Sequence, residues 1–256
     1  MCLAVFVLDA HPAFSLVIAA NRDEYHARPA APAAWRDEGW LGGRDLAAGG
    51  AWLGVTRDAR WAFITNVRDP SRHDPGAPTR GSLVPAALAD PASPSKSLAR
   101  IVGAATAHNG FNLVAGCGAE AYWGSNRTDA PLALAPGIYG LSNAALDTPW
   151  VKVTRTKTAI EAWCARGEED FAPLFSMLGD TTRAPDDLLP ATGIPRDRER
   201  LLSAPFIVDD RYGTRCSTVL AIDREGSARF VERTFDRRGE QVAEVAFRFA
   251  VTSCNR

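Results

Sequence analysis

The sequence predicts an α+β protein built in layers, with a largely antiparallel sheet system rather than a parallel one. Three observations predict it. Strand-like and helix-like stretches arrive in blocks instead of alternating, the order expected of separate packed layers. The strand-like stretches are short, rich in apolar residues and punctuated by Gly and Pro. The helix-like stretches fall into two groups, residues 83–107 and about 150–203, with strands before, between and after them.

The first strand spans residues 2–8, where Cys2 leads into the apolar run Leu3 to Leu8. A turn around Asp9 to Ala13 leads to a second strand at 15–20, and an antiparallel hairpin of the two sets residue 21 or 22 opposite Cys2. Ala27 to Ala34 reads as an extended loop, because Pro29 and Pro32 exclude a helix or a central strand. Gly42-Gly43-Arg44-Asp45 reads as a tight turn with Arg44 and Asp45 pairing locally. Strands follow at 51–56 and 60–66, then helices at Leu83 to Ala89 and Lys96 to Ala107, the second entered through Ser93-Pro94-Ser95 as cap and first turn. Phe111 to Ala115 and Ala119 to Trp123 form a hairpin across Gly116 to Gly118, and 138–142 is another short strand. Val151 to Ala165 is an amphipathic helix, and Glu168 to Leu178 a helix with an acidic first turn that suits its dipole. Residues 185–200, rich in Pro, Asp and Arg, read as a solvated connection; strands at 217–223, 228–235 and 242–251 close the chain.

Composition narrows the function classes. With 256 residues and 46% hydrophobic, the chain suits one continuous domain over residues 1–256. A net charge of -1 gives no electrostatic case for nucleic acid or a membrane surface. No apolar stretch is long enough to span a bilayer, and the first lacks the basic leader of a signal peptide. The five cysteines are scattered and form no C-x-x-C pair, which predicts a reducing, cytoplasmic setting without a disulfide framework. The four histidines have no partner at metal-ligand spacing, so no metal site is expected, and no glycine pattern matches a phosphate loop. Trp35, Trp40, Trp52 and Trp61 fit either the core or an apolar ligand cleft.

Two features carry chemistry. Removal of Met1 leaves Cys2 with a thiol and a free α-amine, and an amine near pKa ~7.7–8.0 is matched to accept a proton from a thiol near ~8.5. The tetrad Asn21-Arg22-Asp23-Glu24 sits at the end of the second strand. There Arg22 favours a thiolate, and a carboxylate from Asp23 or Glu24 orients the arginine or the amine.

The tetrad and its ordered companions mark a resemblance. Met1-Cys2, Ala20 to Glu24, Arg28-Pro29, Gly42 to Asp45, Trp52-Leu53-Gly54 and Thr65-Asn66 run in order through the first quarter. Arg80 to Val84, Gly110 to Leu113, Gly140 to Asn143, Asp147 to Trp150 and Thr214-Arg215 with Ser217 to Val219 continue it. The chain resembles the NRDE family, which includes the transport and Golgi organisation 2 proteins. The resemblance implies a four-layer αββα sandwich of the N-terminal-nucleophile hydrolase type, near the cysteine branch of bile salt hydrolases and penicillin V acylases. By motif context it implies Cys2, Arg22, Asp23, Asn66, Asn143 and Arg215 as catalytic candidates, although Arg22 and Asp23 are adjacent where that branch separates the two by two residues.

The residues themselves suit that chemistry. Asn66 and Asn143 each offer an amide at a strand end, where two donors hold a developing oxyanion, and Arg215 is placed to pair with Asp23 or an anionic substrate group. The expected activity is amidohydrolysis of a small-molecule acyl amide without a cofactor. The alternative that the resemblance implies is a binding or trafficking protein for haem or an acyl lipid, another hydrophobic ligand of the same cleft.

Overall fold

The computed structural model describes residues 3–252. The chain begins with β1 (Leu3–Leu8) and β2 (Phe14–Tyr25), then β3 (Ala30–Trp35), β4 (Trp40–Asp45), β5 (Leu53–Thr56) and β6 (Arg60–Asn66). Helices α1 (Leu83–Ala89) and α2 (Pro94–Ala104) precede β7 (Phe111–Cys117), β8 (Glu120–Ser125), β9 (Leu132–Leu134) and β10 (Gly137–Leu141). Helices α3 (Val151–Ala165), α4 (Ala172–Leu178) and α5 (Arg196–Leu201) then lead to β11 (Tyr212–Asp223), β12 (Ser227–Phe235) and β13 (Gln241–Ala250).

These strands form two antiparallel sheets. One runs in the order β10, β1, β2, β11, β12, β13; the other runs β3 to β9 in chain order. Their facing sides share a core in which Phe6, Ile18 and Phe230 of the first sheet meet Val55, Phe63 and Val114 of the second. Phe6 and Phe63 pack edge to face with centroids 5.3 Å apart, a geometry worth about 0.5–1.5 kcal/mol beyond the area it buries. The outer side of the second sheet buries Ile64 and Leu113 against Val84 and Leu88 of α1 and Leu98 of α2. The outer side of the first buries Val5, Val17 and Val219 against Ile160 of α3 and Leu174 of α4. The layer order is therefore αββα. It explains why β1 is apolar at every position instead of alternating, since both of its faces are covered.

Several expectations are corrected. Ala27 to Ala34 is not all loop: β3 begins at Ala30, and Pro32 is tolerated because β3 is an edge strand whose register breaks between Ala31 and Ala34. Gly42 to Asp45 is strand β4, not a turn. Arg44 pairs with Glu38, and Asp45 with Arg28, instead of with each other. The glycines of β4 allow close approach, since a Cβ on Gly43 would lie 2.0 Å from the Trp52 ring. Helix α4 starts at Ala172, because the chain turns through Gly167 at φ +63° after α3. Trp40 and Trp61 are core residues, and Trp35 packs on Phe249. Cys164 and Cys216 are free and buried, whereas Cys117 is disulfide-bonded, against the expectation of no disulfide framework, because separation along a chain does not set distance in the fold. Among the described residues no helix is long and apolar enough to cross a membrane.

Candidate functional site

The β1–β2 hairpin pairs Leu3 with Asn21, so the tetrad forms the end of a central strand pair. Cys2 lies outside the described residues. On its other side β2 pairs with β11, Asn21 opposite Ser217 and Arg22 opposite Cys216, with a register shift just before Thr214 meets Asp23.

Strand alternation divides the tetrad. Asn21 is structural: its Nδ2 donates to the carbonyls of Leu178 at 2.8 Å and Pro205 at 2.9 Å, and its Oδ1 accepts from Ser217 Oγ at 2.6 Å. Arg22 points between the sheets, only 4% exposed, with its guanidinium 4.5 Å above the Trp52 ring and 3.8 Å from Glu24. Trp52, left open by its sequence position, is thus a platform for Arg22. Asp23 accepts from Thr214 Oγ1 at 2.7 Å, while Tyr212 donates its hydroxyl to the Asp23 carbonyl. Of the two carboxylates, Glu24 is the one ion-paired with Arg22, and it also reaches Arg28 at 3.8 Å.

The two asparagines come together across the sheets. Asn143 Nδ2 donates to the carbonyl of Asn66 at 2.9 Å. The backbone N–H of Arg68 donates to the Asn143 carbonyl at 2.8 Å, and its Nη2 lies 3.4 Å from Asn143 Oδ1. These contacts fix which edge of the carboxamide carries the N–H groups. Arg68 is itself held by buried Glu199 at 2.5 Å and lies over Trp150. Arg215 is placed differently from the pairing expected for it. Its Nη1 donates to the carbonyls of Tyr25, His26 and Arg28, tying down the turn after the tetrad, and it does not reach Asp23. Burial and the Arg22 charge lower its pKa.

These residues surround two adjoining hollows of about 400 and 500 Å³. Tyr25, Asn66, His73, Arg80 and Tyr212 line both. Arg22, Asp23, Glu24 and Trp52 face the larger, and Arg68, Asn143 and Lys152 the smaller.

Sequence reasoning missed three groups here. Glu232 on β12 is 1% exposed, accepts from Ala33 N at 2.7 Å and from Thr218 Oγ1 at 3.0 Å, and burial raises its pKa. The same burial pushes the adjacent Cys216 thiol well up. The signal for Glu232 was available, since it continues the inward series Ala228, Phe230. Arg68 with Glu199 left no such signal, because 131 residues separate the pair. Lys152 is buried near the start of α3, and neither motif nor spacing marks it.

The architecture thus defines an αββα sandwich with a charged groove at the end of its central hairpin, the layer order that the sequence resemblance implies. The chain belongs to the Transport and Golgi organisation 2 family, whose model matches residues 1–237. It is 35% identical to the Transport and Golgi organization protein 2 homolog of Bos taurus, over 91% of this chain and 93% of that protein. The Homo sapiens homolog is 32% identical over the same shares. The Drosophila melanogaster protein is 29% identical over 94% and 95%. Among solved structures, a Caenorhabditis elegans N-acylethanolamine-hydrolyzing acid amidase ortholog matches 86% of this chain and 92% of its own at 10% identity, with a TM-score of 0.48.

Proposed function

We propose that the protein is a cysteine amidohydrolase that uses Cys2, after removal of Met1, to cleave a nonpeptide C–N bond of a small acyl amide. The observation that carries this reading is the convergence of Arg22, Asn66 and Asn143 on one groove at the end of the strand whose residue 3 pairs with Asn21. In the proposed reaction the Cys2 thiolate attacks the amide carbonyl carbon and a C–S bond forms. Amide N–H groups of Asn66 and Asn143 hold the resulting oxyanion. The α-amine, having taken the thiol proton, passes it to the leaving nitrogen, and the C–N bond breaks. Water then attacks the thioester, the C–S bond breaks, and a carboxylic acid leaves. Arg22 favours the thiolate by its charge; Asp23 or Glu24 orients its surroundings.

What supports hydrolysis over carriage of haem or an acyl lipid is the groove wall, whose charges and amides suit a polar bond more than a macrocycle or a long chain. Of the histidines, His73 is the one placed on that wall. The test combines intact-protein mass with turnover of a panel of acyl amides. Loss of Met1, with hydrolysis abolished by Cys2→Ala, is the expected result. Retained Met1 with no turnover overturns it in favour of a binding role.

A further inference from the structure

Beside the tetrad, β11 carries one residue more than the strand it pairs with. Ser217 lies opposite Asn21 and Cys216 opposite Arg22, yet the next pair is Thr214 with Asp23, so Arg215 is the extra residue of a β-bulge. An unbroken ladder would set Arg215 opposite Asp23 and Thr214 opposite Glu24. Residues directly opposite in an antiparallel pair share a face, so the bulge is what brings the Thr214 side chain beside that of Asp23. Arg215 secures the flank of the bulge through the carbonyls of Tyr25, His26 and Arg28.

The Thr214 hydroxyl has a fixed direction. Its Oγ1 accepts from the N–H of Ile207 at 2.9 Å, while the Thr214 N–H donates to the Ile207 carbonyl at 2.9 Å. A hydroxyl has one proton to give. Here it goes to Asp23 Oδ1, 2.7 Å away, and because both residues are buried the bond is made out of reach of competing water. Tyr212 fixes the backbone of the same aspartate by donating its hydroxyl to the Asp23 carbonyl. Glu24 is placed differently, shared between Arg22 and Arg28 at 3.8 Å each. Asp23 lines the larger hollow, and Thr214 is not on the wall of either one.

We propose that Thr214 is a positioning residue that holds the Asp23 carboxylate, ionised, at the groove wall, and that Asp23 rather than Glu24 is the carboxylate that orients the Cys2 amine. A hydroxyl that must donate stabilises the carboxylate over the carboxylic acid, so Thr214 acts only through Asp23. The role of the amine rests on the amidohydrolase reading; the hold on Asp23 does not.

The experiment is a double-mutant cycle of Thr214→Val and Asp23→Asn, read in kcat on an acyl amide that the parent turns over. It is joined to a titration of the Asp23 carboxyl carbon by NMR in the parent and in Thr214→Val. In the parent background, Thr214→Val is expected to lower kcat roughly tenfold and to raise the Asp23 titration midpoint by roughly one pH unit, the scale of one charge-assisted hydrogen bond. In the Asp23→Asn background the same substitution adds no further loss, because the two residues act as one unit. Thr214→Ser keeps the hydroxyl and restores both readouts. The charged side chains that share the hollow are the same in parent and variant, so a changed titration belongs to the hydroxyl. An unchanged Asp23 titration overturns the proposal, as does an equal loss of kcat in both backgrounds, which marks Thr214 as structural. Where Thr214→Val does not fold, Thr214→Cys, a much weaker donor, is held to the same outcomes. A parent that turns over no acyl amide sinks the hydrolase reading, and the titration then decides whether Thr214 holds Asp23.

Discussion

Glu232 accepts a hydrogen bond from the backbone N–H of Ala33 at 2.7 Å, so a buried carboxyl on β12 is tied to the edge strand of the opposite sheet. Thr218 satisfies its second oxygen. Removing the side chain strands both donors in the core, and Glu232→Ala is expected to lower stability by roughly 2–4 kcal/mol, measured by urea unfolding.

The same residue gives a pH dependence. Burial raises its pKa, outweighing the bonds from Ala33 and Thr218. The folded carboxyl therefore keeps its proton above the ordinary Glu range near ~4.3, where the unfolded chain has released it. The folded state binds more protons in that window, and stability falls as pH rises through it. Glu232→Gln keeps the shape without the titration. Its urea midpoint should gain on the parent between pH 4.5 and pH 8, and a constant difference across that range would contradict the assignment.

His11 works in the opposite sense. It is stacked on Trp163 with ring centroids 4.6 Å apart; its Nδ1 faces the N–H groups of Ala13 and Phe14, and its Nε2 lies 3.0 Å from the Glu168 carbonyl. An acceptor at Nδ1 requires the neutral ring with its proton on Nε2. Desolvation lowers the His11 pKa, so stability present above the unfolded value near ~6.5 is lost as pH falls below it. A titration of the His11 ring by NMR should give a midpoint below 6.5, and His11→Gln should flatten the loss of stability between pH 6.5 and 5.

Arg22, stacked on Trp52, is the cation that the proposed reaction uses to favour the thiolate. Arg22→Met is expected to raise the apparent pKa of Cys2 by roughly one unit, read from the pH dependence of its alkylation rate. Arg22→Lys should restore only part of the shift, because an ammonium lacks the planar face that stacks on the indole. A Cys2 alkylation profile identical in all three proteins removes Arg22 from the mechanism.

Asn143 offers a separate check on the oxyanion site. Asn143→Ala removes the donor bonded to the Asn66 carbonyl and is expected to lower kcat roughly a hundredfold on any amide that is turned over. The melting temperature should fall by only a few degrees. A large loss of stability with kcat retained would make the Asn66–Asn143 contact a strut between sheets.

Much of this was legible from residues alone. Alternation and turn residues place β1, α1, α3 and the last two strands within a residue or two, whereas β2 runs on from Asn21 to Tyr25 and β11 starts at Tyr212 rather than 217, because the polar residues there hide the strand. Where local chemistry and tertiary setting disagree, the setting wins. Pro32 argues against a strand until β3 proves to be an edge, and Gly42-Gly43 reads as a turn until Trp52 is seen to need the space beside them. Asn66 and Asn143 stood out by motif, whereas Arg215 shows that a motif position need not face the groove.

The sequence by itself determined the layered α+β class, the hairpin that carries the tetrad and the family, since these depend on local periodicity and on ordered motifs. Only the tertiary structure decided that Arg22 rests on Trp52, that Glu24 rather than Asp23 pairs with it, and that Arg68, Glu199 and Lys152 belong beside Asn143. Apart from Glu24, which shares β2 with Arg22, those partners lie on different elements. The packing of one layer on another brings them together, and no spacing along a single strand or helix encodes that distance.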